Sequence, residues 1–260
     1  MTMKIHEFGE QGNPVLLLLP GTCCFWKGTF GHVIEELSKD FLVGAVAYSG
    51  FDEESDDAFD TVLLETERIE KYVGEHYNHQ VCAAYGSSLG GSFVAQLAAR
   101  EKIHMKYGII GSSDFDQSRA LAAKLKAALM GKVIYPFIHT GHYSSSFMQK
   151  RYEKQMASSD PYNKAFVAMV GRDRYDMSFI TKQSIKNQFQ SDLITPLPKQ
   201  IDNGETEIHV FYAKKMGEKY LDRYHQYFKN PIIHEQDMRH EEFLALHSDE
   251  WCRLVREICL

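Results

Sequence analysis

Apolar residues fall along this chain in short unbroken runs, separated by longer stretches of mixed character. The runs are Val15–Leu19, 42–48, 81–85, 107–111, 208–213 and 232–234. Each is strand-length. Continuous rather than alternating hydrophobicity means that both faces of such a strand are covered, as in a parallel sheet. The stretches between them carry a helical period. Across 58–77, Phe59, Val62, Leu63, Ile69, Tyr72 and Val73 mark one face among Glu and Lys, and 91–100, 219–228 and 249–259 repeat the pattern. Strand–helix alternation of this kind predicts an α/β fold: a mostly parallel central sheet with helices on both faces.

The alternation stops between 115 and 200. No run there is strand-like. Residues 120–130, 147–156 and 161–169 have helical period instead, and the segment is rich in Tyr, Phe, Met, Lys and Gln. The turn-rich T-P-L-P-K-Q-I-D-N-G at 195–204 leads back to the next apolar run. The expected organisation is a core built from 1–114 and 201–260, with 115–200 inserted as a helical cap.

One stretch carries chemistry. Y-G-S-S-L-G-G at 85–91 sits between an apolar run and a helical one, and contains G-x-S-x-G with Ser88 at its centre. A sharp strand-to-helix turn crowds the backbone two residues before and after the serine, and both places hold glycine. The helix N-terminus beneath Ser88 favours negative charge developing there, and Ser87 has no comparable support.

On these residues the chain resembles the α/β-hydrolase superfamily. The resemblance rests on the strand order, the Ser88 elbow, the insertion after the next strand and a late histidine. It implies a serine nucleophile with a histidine base from a loop near the C-terminus. In H-E-Q-D-M-R-H-E-E-F-L-A-L-H the residue so placed is His240, with His234 on the preceding apolar run and His247 leading into the final helix. It also implies an oxyanion hole from the amides of Leu89 and of Thr22, the latter in L-P-G-T-C-C-F-W. Cys23, Phe25 and Trp26 beyond it are candidate substrate contacts, with core packing the equal alternative for the two aromatics. Tyr143 and Phe147 are further candidates from the cap, whose aromatic and Met content suits an apolar or aromatic group.

The triad acid stays open. The resemblance puts it after the penultimate strand, where F-Y-A-K-K-M-G-E-K-Y has Met216 in the acidic place and Glu218 two residues late. A variant of the family takes it from the end of the strand after the elbow helix, where Y-G-I-I-G-S-S-D-F-D offers Asp114. Asp237, or no acid at all, are the remaining options. An acid orients the histidine and stabilises its cation.

The expected activity is therefore cleavage of a small or medium carboxylic ester, thioester or amide through an acyl-enzyme on Ser88. Acyl transfer by the same machinery and non-catalytic ligand binding are the alternatives. No cofactor or metal is expected, since His139 and His142 have no Cys or acidic third ligand near them. A net charge of −6 without a basic stripe argues against nucleic acid or an anionic membrane as the main partner. Five cysteines (Cys23, Cys24, Cys82, Cys252 and Cys259) without framework spacing, and an N-terminus unlike a signal peptide, fit a reducing cytoplasm.

Overall fold

The computed structural model describes residues 3–55, 57–202 and 204–260. Seven strands form one sheet: β1 (Lys4–Phe8), β2 (Val15–Leu19), β3 (Leu42–Ala47), β4 (Gln80–Gly86), β5 (His104–Ile110), β6 (Glu207–Ala213) and β7 (Ile232–Gln236). Their spatial order is β1-β3-β2-β4-β5-β6-β7. The six apolar runs are β2 to β7, all parallel to one another. The strand not anticipated is β1, which runs antiparallel along β3 at the sheet edge. In K-I-H-E-F only Ile5 is buried, so an edge strand with one wet face leaves almost no apolar run to read.

The helices are α1 (Trp26–Leu37), α2 (Val62–His76), α3 (Leu89–Arg100), α4 (Ala120–Thr140), α5 (Ser146–Met156), α6 (Pro161–Val170), α7 (Lys182–Ile194), α8 (Glu218–Tyr227), α9 (Glu242–Leu246) and α10 (Ser248–Cys259). Four of them, α4 to α7, lie between β5 and β6. Two were not anticipated for opposite reasons. In α1 the buried Trp26, Phe30, Val33, Ile34 and Leu37 follow helical period plainly, but its first turn reads equally as a pocket wall. In α7, K-Q-S-I-K-N-Q-F-Q-S-D-L-I has only a narrow apolar line, Ile185, Phe189 and Leu193, and polar side chains make many of its contacts. The Ser184 and Ser191 hydroxyls accept the Phe59 and Val62 amides at 3.2 and 2.7 Å, and Gln188 Oε1 accepts the Cys23 amide at 2.6 Å. A helix can thus be held to the core by backbone groups that would otherwise be unpaired.

Helix α4 runs past the expected end near residue 130, through Gly131 and Pro136. Gly131 permits close packing on α7, since a Cβ there would lie 2.6 Å from Lys186 Cγ. Among the described residues no helix is long and apolar enough to cross a membrane.

The chain places β3 on one side of β2 and β4 on the other, with Leu19 at the end of β2 opposite Gly86 at the end of β4. The loops leaving these two neighbours therefore open side by side at the carboxyl edge of the sheet. That reversal point is where open α/β sheets bind ligands.

Candidate active site

At the end of β4 the chain turns into α3 through Ser88, whose φ of +49° and ψ of −112° lie outside the regions an L-residue prefers. Such a conformation costs on the order of 1–3 kcal/mol and persists only where the surroundings hold it. Close packing does so here. A Cβ on Gly86 would sit 2.1 Å from the Gly90 carbonyl carbon, and one on Gly90 2.1 Å from the Leu19 carbonyl oxygen. Both glycines are required by proximity, as the sequence pattern demanded.

The amides of Leu89 and Thr22 have no hydrogen-bond partner among the described residues. Those around them are occupied: Cys23 donates to Gln188, Cys24 to the Gly21 carbonyl and Gly90 to the Ser87 carbonyl. Two free donors beside a serine at a helix N-terminus form a pre-arranged place for developing negative charge. Ser88, Leu89, Thr22 and His240 all line one cavity of about 640 Å³.

His240 follows β7 in a loop that ends at α9, and its own carbonyl accepts the Tyr162 hydroxyl of α6 at 2.9 Å. The Arg239 guanidinium lies 3.9 Å over the Tyr162 ring and pairs with Asp160 and Glu242. These contacts tie the histidine loop to the inserted helices. Among the described residues, no hydrogen bond joins the His240 imidazole to a carboxylate; the Phe166 ring lies at 6.0 Å between centroids.

The three acids considered from sequence are spread apart. Asp114 lines the cavity, but its Oδ1 accepts the Asp116 amide at 2.9 Å. Glu218 is exposed on the first turn of α8 and does not line the cavity. Asp237 is exposed and lies 3.8 Å from Lys215.

An acid that sequence reasoning passed over is better placed. Glu241 is 4% exposed and, like Ser88, has a positive φ, +55°. Its Oε1 accepts the Ser88 amide at 2.9 Å and the Ser112 amide at 2.8 Å, and its Oε2 accepts the Tyr85 hydroxyl at 3.2 Å. Its own amide donates to the Ser112 hydroxyl at 3.0 Å. The residue beside His240 thus holds the strained amide of Ser88, joining the two loops. The one sequence signal was a second charged residue directly after the histidine, indistinguishable there from a solvated loop acid.

Of the proposed substrate contacts, Cys23 and Tyr143 line the cavity, and unpredicted Cys24 joins them. Burial pushes the Cys24 thiol up to about 12, so it stays protonated. Phe25 and Trp26 do not reach the cavity. Phe25 packs edge-on against Tyr175 and Phe179, and Trp26 stacks on His6 at 4.5 Å, so both serve the core. Phe147 is 73% exposed on α5 and also lies outside the cavity. Phe137, Tyr152, Phe166 and Met169 supply the apolar wall from the inserted helices.

One further group sequence did not flag is Asp192 of α7, which lines the cavity and accepts the Ser92 hydroxyl at 3.0 Å. Burial, and next the charge of Asp114, push its carboxyl up to about 7. His139 and His142, set aside as metal ligands, each turn a ring nitrogen to a backbone carbonyl, of Ile180 and Thr140.

No protein-family model and no curated protein matches the sequence. Solved structures do. A protein of Desulfitobacterium hafniense assigned to the α/β-hydrolase family superposes with a TM-score of 0.78 at 18% identity, covering 98% of this chain and 99% of that one. A hydrolase from Pseudomonas aeruginosa PA01 gives 0.70 at 13% identity, with 97% and 93% covered. A marine microorganism esterase gives 0.69 at 14% identity over the whole of both chains. Sheet order, elbow position and these superpositions agree: the chain has the α/β-hydrolase fold.

Proposed function

We propose that this protein is a serine hydrolase that cleaves a small or medium carboxylic ester, or a thioester or amide, through an acyl-enzyme on Ser88. The observation that carries the reading is Ser88 itself. It is held in a strained turn at a helix N-terminus, inside a cavity, beside two unpartnered amides. His240 takes the Ser88 proton as the oxygen attacks the carbonyl carbon, and the Thr22 and Leu89 amides hold the tetrahedral oxyanion. His240 then gives its proton to the leaving group, and water, deprotonated in turn by His240, releases the acid and frees Ser88. Without a carboxylate behind His240, the pair acts as a dyad, for which a slower turnover is expected than for a full triad.

The cavity also limits the substrate. Its wall is largely aromatic and aliphatic, and no Lys or Arg lines it, whereas Asp114, Asp116, Asp192 and Glu241 do. A neutral substrate with an apolar acyl or leaving group fits this surface, and away from the two free amides a free carboxylate meets acidic side chains.

A fluorophosphonate probe tests the assignment. The wild-type chain and Ser87→Ala are expected to be labelled and Ser88→Ala not. An unlabelled wild type, or a labelled Ser88→Ala, would remove the reading. If neutral p-nitrophenyl esters bind tightly yet do not turn over, the non-catalytic ligand-binding alternative takes its place, which the unpartnered imidazole of His240 favours.

A further inference from the structure

The net charge of −6 is not spread evenly over the molecule. Residues 117–152 contain no Asp or Glu but carry Arg119, Lys124, Lys126, Lys132, Lys150 and Arg151. Among the described residues none of these six cations forms an ion pair, although many cations elsewhere do.

The same segment holds the most exposed apolar side chains. Leu121, Leu125 and Leu129 of α4 and Phe147 of α5 are 61–73% exposed; among the described residues the other large apolar side chain above one half is the terminal Leu260. The three leucines stand four apart and therefore lie in one stripe along α4. Ala123, Ala127 and Gly131, two residues further on in each case, are buried on the opposite side, which packs on α7. At 100° per residue, Lys124 flanks the leucine stripe on one side, Lys126 flanks it on the other, and Lys132 lies at its end. Apolar residues rimmed by long cationic side chains suit an interface between hydrocarbon and phosphate, where the leucines enter and the lysines reach outward. A second copy of the chain is a poor occupant, since a two-fold contact would set this row of cations against itself.

We propose that this face of α4 docks the protein on an anionic lipid surface. The helix continues from the leucine stripe to Ile134, Phe137 and Ile138, which line the cavity. The docked face and the apolar wall of the cavity are therefore parts of one helix.

Co-sedimentation with phosphatidylcholine vesicles, with and without phosphatidylglycerol, tests this. The full chain is expected to bind the mixed vesicles at least tenfold better than the neutral ones, and to be released by high salt. Lys124→Glu with Lys126→Glu lowers the partition coefficient at least about 25-fold, from roughly fivefold per cation lost. Leu121→Ser with Leu125→Ser lowers it by about tenfold or more per leucine. All four positions are exposed, so thermal melts stay unchanged. Ser88→Ala binds as wild type does, so failure of the hydrolase reading leaves this test intact. Equal binding to both vesicle types, no binding, or leucine variants that bind normally would overturn the proposal. So would a dimer in sedimentation velocity that Leu125→Glu splits, which would assign the face to self-association.

Discussion

Replacing Glu241 by alanine leaves the Ser88 and Ser112 amides and the Tyr85 hydroxyl, now bonded at 2.9, 2.8 and 3.2 Å, facing an empty space. A buried donor without a partner costs about 1–3 kcal/mol. With some relief from an entering water, the three amount to about 3–5 kcal/mol lost from global stability. The local effect is sharper, because the Ser88 bond is among the contacts that hold its φ at +49°. A reacting oxygen displaced by about 1 Å costs roughly 10²-fold in rate. Glutamine separates geometry from charge. Its Oε1 keeps both amide bonds and its amino group turns to the Tyr85 hydroxyl, so the loss is about 1–2 kcal/mol and the rate stays within about tenfold. Urea unfolding followed by tryptophan fluorescence gives the stabilities, and the second-order rate of fluorophosphonate labelling reads Ser88 without a known substrate. An alanine variant within about 0.5 kcal/mol of wild type, or a glutamine variant labelled as slowly as alanine, would refute the role given to Glu241.

Further outcomes follow from single contacts. Asp192 has a carboxyl raised to about 7, well above the unfolded range near ~4. Between those two pH values the folded state holds a proton that the unfolded state has released, so stability falls as pH rises and levels off above about 7. Thermal melts at pH 5 and 8 should show this slope in wild type and not in Asp192→Asn; parallel profiles would contradict it. Gly90→Ala places a Cβ 2.1 Å from the Leu19 carbonyl oxygen, where neither backbone can yield, and soluble yield with a melt should show a loss of at least about 3 kcal/mol. Tyr162→Phe removes the 2.9 Å bond to the His240 carbonyl, worth about 0.5–1.5 kcal/mol, and labelling should slow several-fold while the melting temperature moves by only a few degrees. An unchanged labelling rate would mean that the inserted helices do not position His240.

What could be read from sequence tracks how each element is stabilised. Most residues of β2 to β6 are buried, so each appears as an apolar run, whereas β7, with none buried, shows only the short I-I-H. β1, with a single buried residue, does not. The periodic faces of α2, α3, α8 and α10 were legible for the same reason. α7 was harder to see: its apolar line of Ile185, Phe189 and Leu193 is narrow, Ser184, Gln188 and Ser191 join it to backbone groups from distant parts of the chain, and hydropathy does not register a hydrogen bond.

The site divides along the same line. Gly86, Ser88 and Gly90 are adjacent in sequence, and the steric demand of a tight turn acts over those few residues, so their pattern was visible in the chain alone. Free amides at Thr22 and Leu89, an imidazole without a carboxylate among the described residues, and Glu241 bonded to the elbow depend on segments far apart in the chain, Ser88 and Glu241 by 153 residues, meeting at one sheet edge as the chain topology dictates. The same holds for charge. Composition gives the sum of −6, which says nothing about position. It is the packing of Ala123, Ala127 and Gly131 against α7 that turns Leu121, Leu125 and Leu129 outward among unpaired cations. Local sterics and hydrophobic periodicity are properties of the sequence; which polar groups are left without partners is decided only when distant segments pack together.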